Sequence, residues 1–129
     1  MRPEGGSPAE WLRFAQSDLD DALGPPRGRI LFETMCFHAQ QAVEKSLKAI
    51  LVAKGIPFPR THNLKILVSL LPPDLSLPAD PVDIGELTDY AVSNRYPGME
   101  EPVTEEQYRK AVRLAESVVT WAEGIIAPR

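Results

Sequence analysis

A histidine and two lysines share one side of a candidate helix between Phe37 and Leu51, which reads FHAQQAVEKSLKAIL. Its polar positions recur every three or four residues, a spacing that places side chains on one face of an α-helix. These positions, called the polar stripe below, are His38, Gln41, Lys45 and Lys48. A lysine binds phosphate oxygens as a point charge, and a histidine can contact a ligand or accept a proton. The stripe is therefore the first candidate site, and a solvated helix face is the alternative.

Structural roles compete for these residues. Glu44 lies four residues before Lys48, the favourable order for an ordinary helix ion pair. A histidine inside a long buried helix, such as His38, is commonly packed and hydrogen-bonded. His62 precedes a short candidate helix, and we expect it to help to cap that helix.

A second group of candidates lies in a turn containing proline and glycine, from Asn94 to Gly98. Arg95 and Tyr96 in this turn can be held rigidly toward a cleft, and a bidentate arginine suits phosphate and carboxylate equally well. A structural alternative is an ion pair from Arg95 to Glu44 that locks the turn onto the long helix.

Other kinds of site find little support. The two histidines have no carboxylate at a ligand spacing typical of zinc, and the glycines form neither a phosphate loop nor a dinucleotide fingerprint. Cys36 is flanked by Met35 and Phe37, and an apolar environment raises the pKa of a thiol and makes it inert. We therefore expect no metal site and no nucleophilic cysteine.

Composition limits the partners. The chain has 129 residues, one cysteine and a net charge of −4, which fits a single domain without disulfides and argues against tight nonspecific binding of nucleic acid. A symmetric interface could still build a local basic groove. The sequence shows neither a secretory signal nor an apolar run of membrane-spanning length, so a cytoplasmic location is expected.

Capping signals divide the chain into helices. Ser7, Pro8 and Glu10 open the first, and Gly24 with two prolines ends it. The remaining helices are predicted from Gly28 to Lys54 with Gly55 as terminator, from Asn63 to Leu71, from Asp80 to about Ser93, and from Thr104 to Ile126. No segment alternates as a strand does, so the sequence predicts an all-α, up-and-down bundle of four long helices plus one short helix. It would form one domain over 1–129, with its core at about 8–126.

Several motifs, taken in their order along the chain, resemble those of the HEPN domain family, whose name stands for higher eukaryotes and prokaryotes nucleotide-binding. The resemblance is carried by Trp11 with Asp18-Leu19, by CFHAQQAVEKSLKAIL from Cys36 to Leu51, by His62-Asn63-Leu64, and by Tyr90 followed by Asn94-Arg95-Tyr96-Pro97-Gly98. It implies a helical bundle that dimerises through its long helices. It also implies a minimal nucleotidyltransferase partner, because such domains are often encoded beside one in prokaryotic two-gene modules.

The resemblance also implies a possible enzyme, because the family includes metal-independent ribonucleases. In these enzymes the active site is formed by an arginine that is followed, after four to six residues, by a histidine. Neither His38 nor His62 has an arginine at that distance before it, and no histidine follows Arg95. Tyr96 could replace the base only if its pKa were lowered from about 10. We therefore expect a non-catalytic, homodimeric module with no cofactor other than a nucleotide such as ATP. Its predicted contacts to the nucleotide or partner are His38, Gln41, Lys45, Lys48, Arg95 and Tyr96. The alternative is a diverged ribonuclease toxin that uses His38 and Arg95.

Overall fold

The computed structural model describes residues 6–24, 31–91 and 102–127. Within these ranges the chain is helical and contains no strand, which confirms the all-α class and is consistent with an up-and-down course. The elements are α1 (Pro8–Leu23), α2 (Phe32–Ala53), α3 (Leu64–Ser69), α4 (Pro81–Glu86), a 3₁₀ helix (Leu87–Ala91) and α5 (Glu105–Ile126). None of the helices in the described ranges combines the length and the apolar character that crossing a membrane requires.

The predicted capping boxes are present at α1 and α5. Ser7 Oγ accepts a hydrogen bond from the backbone of Glu10 at 3.1 Å, and the Glu10 carboxylate accepts one from the backbone of Ser7 at 3.0 Å. Thr104 and Gln107 repeat this exchange at the start of α5. Each box satisfies two donors that the first turn leaves without a partner, which explains why these helices begin where the sequence predicts.

The long helix α2 ends as predicted but begins later. Gly55 has a positive φ of 70°. The backbone N–H groups of Gly55 and Ile56 donate to Val52 and Leu51, which is a Schellman motif. The predicted start near Gly28 is wrong, because the helix begins at Phe32 and Leu31 before it is extended. Its 22 residues span about 33 Å.

The middle of the chain also departs from the prediction in part. Asn63 caps α3 by accepting from the backbone of Lys65, whereas His62 is not the cap, since its ring turns toward Glu44. The α-helix after Asp80 ends at Glu86 and continues as a 3₁₀ helix. Gly85 lowers helix propensity there. It also lets α3 pack closely, since a Cβ at this position would lie 2.6 Å from Cγ of Lys65.

The core is built around α2, which packs against α1 and α5, while α1 and α5 also contact each other. The elements α3, α4 and the 3₁₀ helix form a group that contacts α2 through α3 and the 3₁₀ helix. Thirteen of the 22 residues of α2 are buried, including the polar residues Gln40, Glu44 and Lys48. Part of the polar stripe is therefore inside the fold, where each polar group needs a hydrogen-bonding partner.

Candidate functional site

Three residues of the polar stripe of α2 belong to two clusters, each built around a carboxylate. In the first, Asp18 of α1 contacts both His38 and Lys45 of α2. The His38 Nδ1 lies 3.0 Å from Asp18 Oδ1, and Lys45 Nζ donates to Asp18 Oδ2 at 2.6 Å. Asp21, one turn further along α1, places its Oδ2 3.9 Å from the same Nδ1. We call these four residues the Asp18 cluster.

The Asp18 cluster is partly open to solvent. The side chain of Asp18 is 13% exposed, that of His38 is 30% exposed and that of Asp21 is 62% exposed. Because an ionised carboxylate only accepts hydrogen bonds, the contact at 3.0 Å places a proton on Nδ1 of His38. In the neutral ring Nε2 then carries the lone pair. The contact with Asp18 thus fixes the orientation of the His38 ring and leaves its Nε2 unused.

The second cluster surrounds Glu44, whose side chain is only 3% exposed. Lys48 Nζ donates to Glu44 Oε2 at 2.9 Å, and His62 Nδ1 lies 3.0 Å from Oε1. Gln40 Nε2 donates to Oε1 at 3.2 Å and to the backbone carbonyl of His62 at 3.4 Å. We call Glu44, Lys48, His62 and Gln40 the Glu44 cluster.

Aromatic rings close the Glu44 cluster from outside. The ammonium of Lys48 lies 5.4 Å from the ring centroid of Trp11 and 5.8 Å from that of Phe58. Both distances are within the range of cation–π attraction. Lys48 is therefore neutralised by a carboxylate and covered by two rings, so the alternative of a solvated face does not hold for this lysine.

An exposed aromatic ring lies beside the Asp18 cluster. Phe14 on α1 is 48% exposed, with Lys45 Nζ 5.9 Å and the guanidinium carbon of Arg13 5.6 Å from its ring centroid. A large apolar side chain on the surface with two cations around it is a feature that the polar stripe did not reveal. Its position one turn before Asp18 on α1 is the only sequence signal for it.

The structure thus brings some predicted residues together and separates others. His38 and Lys45 meet at Asp18, whereas Lys48 pairs with Glu44 as the alternative interpretation expected. Gln41 donates only to Gln40, at 2.7 Å, among the described residues. Arg95 and Tyr96 lie outside the described residues, and so does the proposed pair between Arg95 and Glu44.

Asp18 and Asp21 are not among the predicted site residues, although their spacing of three places both on one face of α1. Their role depends on α1 packing against α2, which spacing within one helix does not report. The positions of Trp11 and Phe58 over Lys48 likewise depend on packing between elements, which spacing within one helix does not report.

Cys36 behaves as predicted. It is fully buried, and burial, with a smaller contribution from the nearby Glu33 carboxylate, raises the pKa of the thiol to about 12. A thiol that stays protonated at neutral pH is a poor nucleophile.

A further cavity of about 180 Å³ lies between α5 and the segment of α4 and the 3₁₀ helix. Asp83, Tyr90 and Lys110 contribute to its wall. Of the predicted site residues that the structure describes, none lines it. Burial is the largest cause that raises the pKa of Tyr90 there, so its hydroxyl is not an activated base.

Comparisons with known proteins agree with this architecture. TT1696 from Thermus thermophilus has a similar crystal structure, with a TM-score of 0.74 and 28% sequence identity over 90% of this chain and 95% of that one. ST0689, described as an archaeal HEPN homologue, has a TM-score of 0.65 and 26% identity over 93% of this chain and 98% of that one. A search of curated proteins gave no significant match. The family model for the HEPN domain matches residues 9–125. The chain therefore belongs to the HEPN domain family.

Proposed function

We propose that this chain is a non-catalytic HEPN module that forms a homodimer and binds a nucleotide, a minimal nucleotidyltransferase partner, or both, in a prokaryotic toxin–antitoxin-like system. The observation that carries the proposal is the exposed ring of Phe14 with Lys45 and Arg13 beside it. An aromatic face binds a nucleobase by stacking, and adjacent cations attract phosphate.

The ion pairs of the Asp18 cluster support recognition at this surface. Lys45 is held at 2.6 Å by Asp18 while part of its side chain stays exposed, so little side-chain entropy is lost when a ligand binds. Lys48, by contrast, is buried under Trp11 and Phe58. We therefore assign direct ligand contact to Lys45 and His38, and a supporting role to Lys48.

Isothermal titration calorimetry with ATP tests the nucleotide half. We expect binding heat with the wild-type chain and an affinity about 5- to 150-fold lower for Phe14→Ala, because stacking is worth about 1–3 kcal/mol per base. Lys45→Ala and Arg95→Ala should also weaken binding. Val82→Ala is the matched control, since Val82 is also an exposed apolar residue but lies on α4.

Absence of heat with ATP and with the other common nucleotides would remove this half of the proposal. The partner half would remain, and it is tested with the nucleotidyltransferase from a neighbouring gene. Size-exclusion chromatography with light scattering should show a dimer of this chain alone and a larger complex with the partner. A monomer that forms no complex would contradict it.

A diverged ribonuclease is the second candidate, and the contact between Asp18 and His38 is the observation that favours it. A carboxylate at Nδ1 orients an imidazole so that Nε2 can accept a proton, and Lys45 is available to a phosphate. Incubation with labelled RNA, without added metal, would decide. Cleavage that disappears in both His38→Ala and Arg95→Ala would favour this candidate over the binding module, whereas cleavage that survives both changes would show that this site is wrong.

A further inference from the structure

The Asp18 cluster gathers three metal-binding side chains from two helices. Asp18 and Asp21 of α1 offer one carboxylate oxygen each, His38 of α2 offers a ring nitrogen, and the three atoms all lie within 4.8 Å of one another. The nitrogen is 3.0 Å from one oxygen and 3.9 Å from the other. Zinc binds such atoms at about 2.0–2.2 Å, so tetrahedral ligands lie roughly 3.3 Å apart. The two distances from the ring nitrogen to the carboxylate oxygens lie on either side of this value.

Lys45 leaves the inner oxygen of Asp18 available. It contacts Oδ2, at 2.6 Å, whereas Oδ1 is the oxygen directed at His38. A second group that holds the outer oxygen of a ligating carboxylate fixes its orientation, as outer-shell groups do in metal sites.

The cluster is also accessible. Asp21 is mostly exposed and His38 is partly exposed, so an ion can enter from solvent and retain a water molecule in the remaining coordination position. The Glu44 cluster lacks both the accessibility and the second carboxylate. Its one carboxylate is buried, and within the described residues no other carboxylate faces His62.

We propose that Asp18, Asp21 and His38 form a binding site for a divalent transition metal, with zinc as the best match. A ring nitrogen with two carboxylate oxygens suits zinc, whereas calcium and magnesium prefer oxygen ligands alone. Zinc needs the lone pair of Nδ1, so in the neutral ring the proton on Nδ1 moves through solvent to Nε2 when the ion binds, and no net proton is released. The prediction that no metal site exists considered only histidine–carboxylate spacing along the chain, and the carboxylates come instead from the neighbouring helix.

Equilibrium dialysis of the full chain against Zn²⁺ tests this site, and no nucleotide is added, so the result does not depend on the proposed function. We expect one ion per chain. His38→Ala and Asp21→Asn should each lower the affinity by at least about tenfold, since even changes in outer-shell groups cost about 10–100-fold. Co²⁺ provides a second readout, because ligand-field absorption of the bound ion should be lost with His38→Ala.

His62→Ala is the matched control, since it removes the other histidine, which also contacts a carboxylate, but leaves the Asp18 cluster intact. It should bind zinc as the wild type does. Asp21→Asn changes an exposed side chain, so its loss of binding cannot be attributed to unfolding, and circular dichroism verifies this. A wild-type chain that binds no zinc, or equal affinity in wild type, His38→Ala and Asp21→Asn, would overturn the proposal.

Discussion

The ring nitrogen Nδ1 of His62 lies 3.0 Å from Oε1 of Glu44, and this contact ties the loop after α2 back to the middle of that helix. The two partners differ sharply in environment, since Glu44 is 3% exposed and His62 is 69% exposed. The other carboxylate oxygen holds Lys48 at 2.9 Å. Glu44 therefore joins a buried cation to a surface loop.

Removing the carboxylate should be far more harmful than removing the histidine. Glu44→Ala leaves the buried ammonium of Lys48 without its anion, and breaking such a pair costs about 3–5 kcal/mol. His62→Ala removes an exposed partner and should cost about 0–1 kcal/mol. Urea unfolding followed by circular dichroism measures both.

A second change isolates the cause. Lys48→Met in the Glu44→Ala background removes the unpaired charge and should recover part of the stability. Equal losses for Glu44→Ala and His62→Ala, or no recovery in the double variant, would show that the unpaired lysine is not what costs stability.

The thiol of Cys36 should not react in the folded protein. Its pKa of about 12 leaves almost no thiolate at pH 8, and its side chain is buried. We expect an aromatic disulfide reagent to label the chain only after denaturant is added. Labelling of the native protein at the rate of the denatured protein would contradict this prediction.

The same thiol makes stability depend on pH in the alkaline range. Its pKa is about 9.0 in the unfolded chain and about 12 in the folded one, so the unfolded state loses its proton first as pH rises. The contribution is complete below pH 9 and is lost progressively toward pH 12, with a slope of at most about 1.4 kcal/mol per pH unit. Cys36→Ala is the control, because its stability relative to the wild type should improve above pH 9. If the difference in unfolding free energy between Cys36→Ala and the wild type stayed constant from pH 8 to pH 11, the thiol would not be the source of the pH dependence.

Two glycines should respond in opposite ways to alanine. Gly124 lies inside α5 and a Cβ there would contact nothing within 4 Å, so Gly124→Ala should stabilise by up to about 1 kcal/mol. Gly55 has a φ of 70° at the Schellman motif, and Gly55→Ala should destabilise by about 1–2 kcal/mol. Thermal unfolding of the two variants should shift in opposite directions, and a shift of the same sign would refute the assignment.

The hydroxyl of Tyr108 ties α5 to the end of α1. It donates to the backbone carbonyl of Ala22 at 2.8 Å, while its ring stacks on Phe32 with centroids 5.0 Å apart. Tyr108→Phe keeps the stack and should cost about 0.5–1.5 kcal/mol. Tyr108→Leu loses both contacts and should cost more in the same urea titration. If the two variants lost equal stability, the ring stack would contribute nothing.

Local signals account for the parts of the fold that could be predicted. Ser7 with Glu10, Thr104 with Gln107, Asn63 and Gly55 act within a few residues of themselves, so their types and spacing suffice to locate helix ends. The start of α2 has no side-chain cap, since Leu31 supplies none. It was consequently missed.

The candidate site was predicted only as far as one helix reaches. Helical spacing placed His38, Gln41, Lys45 and Lys48 on one side of α2, and Glu44 before Lys48 predicted their ion pair. Helical spacing does not indicate that Asp18 of α1 bridges His38 and Lys45.

Residue types and their spacing are thus enough to establish the helical class, most helix ends, the HEPN resemblance and the set of polar side chains that share a face of α2. Tertiary structure alone decided that Lys48 is buried under Trp11 and Phe58 and that His38 faces two carboxylates of α1. The physical reason is that capping and helical periodicity act between near neighbours in the chain. Ion pairs and metal ligation depend on distances of a few ångströms in space, and only the packing of α1 and the 55–63 loop against α2 sets those distances.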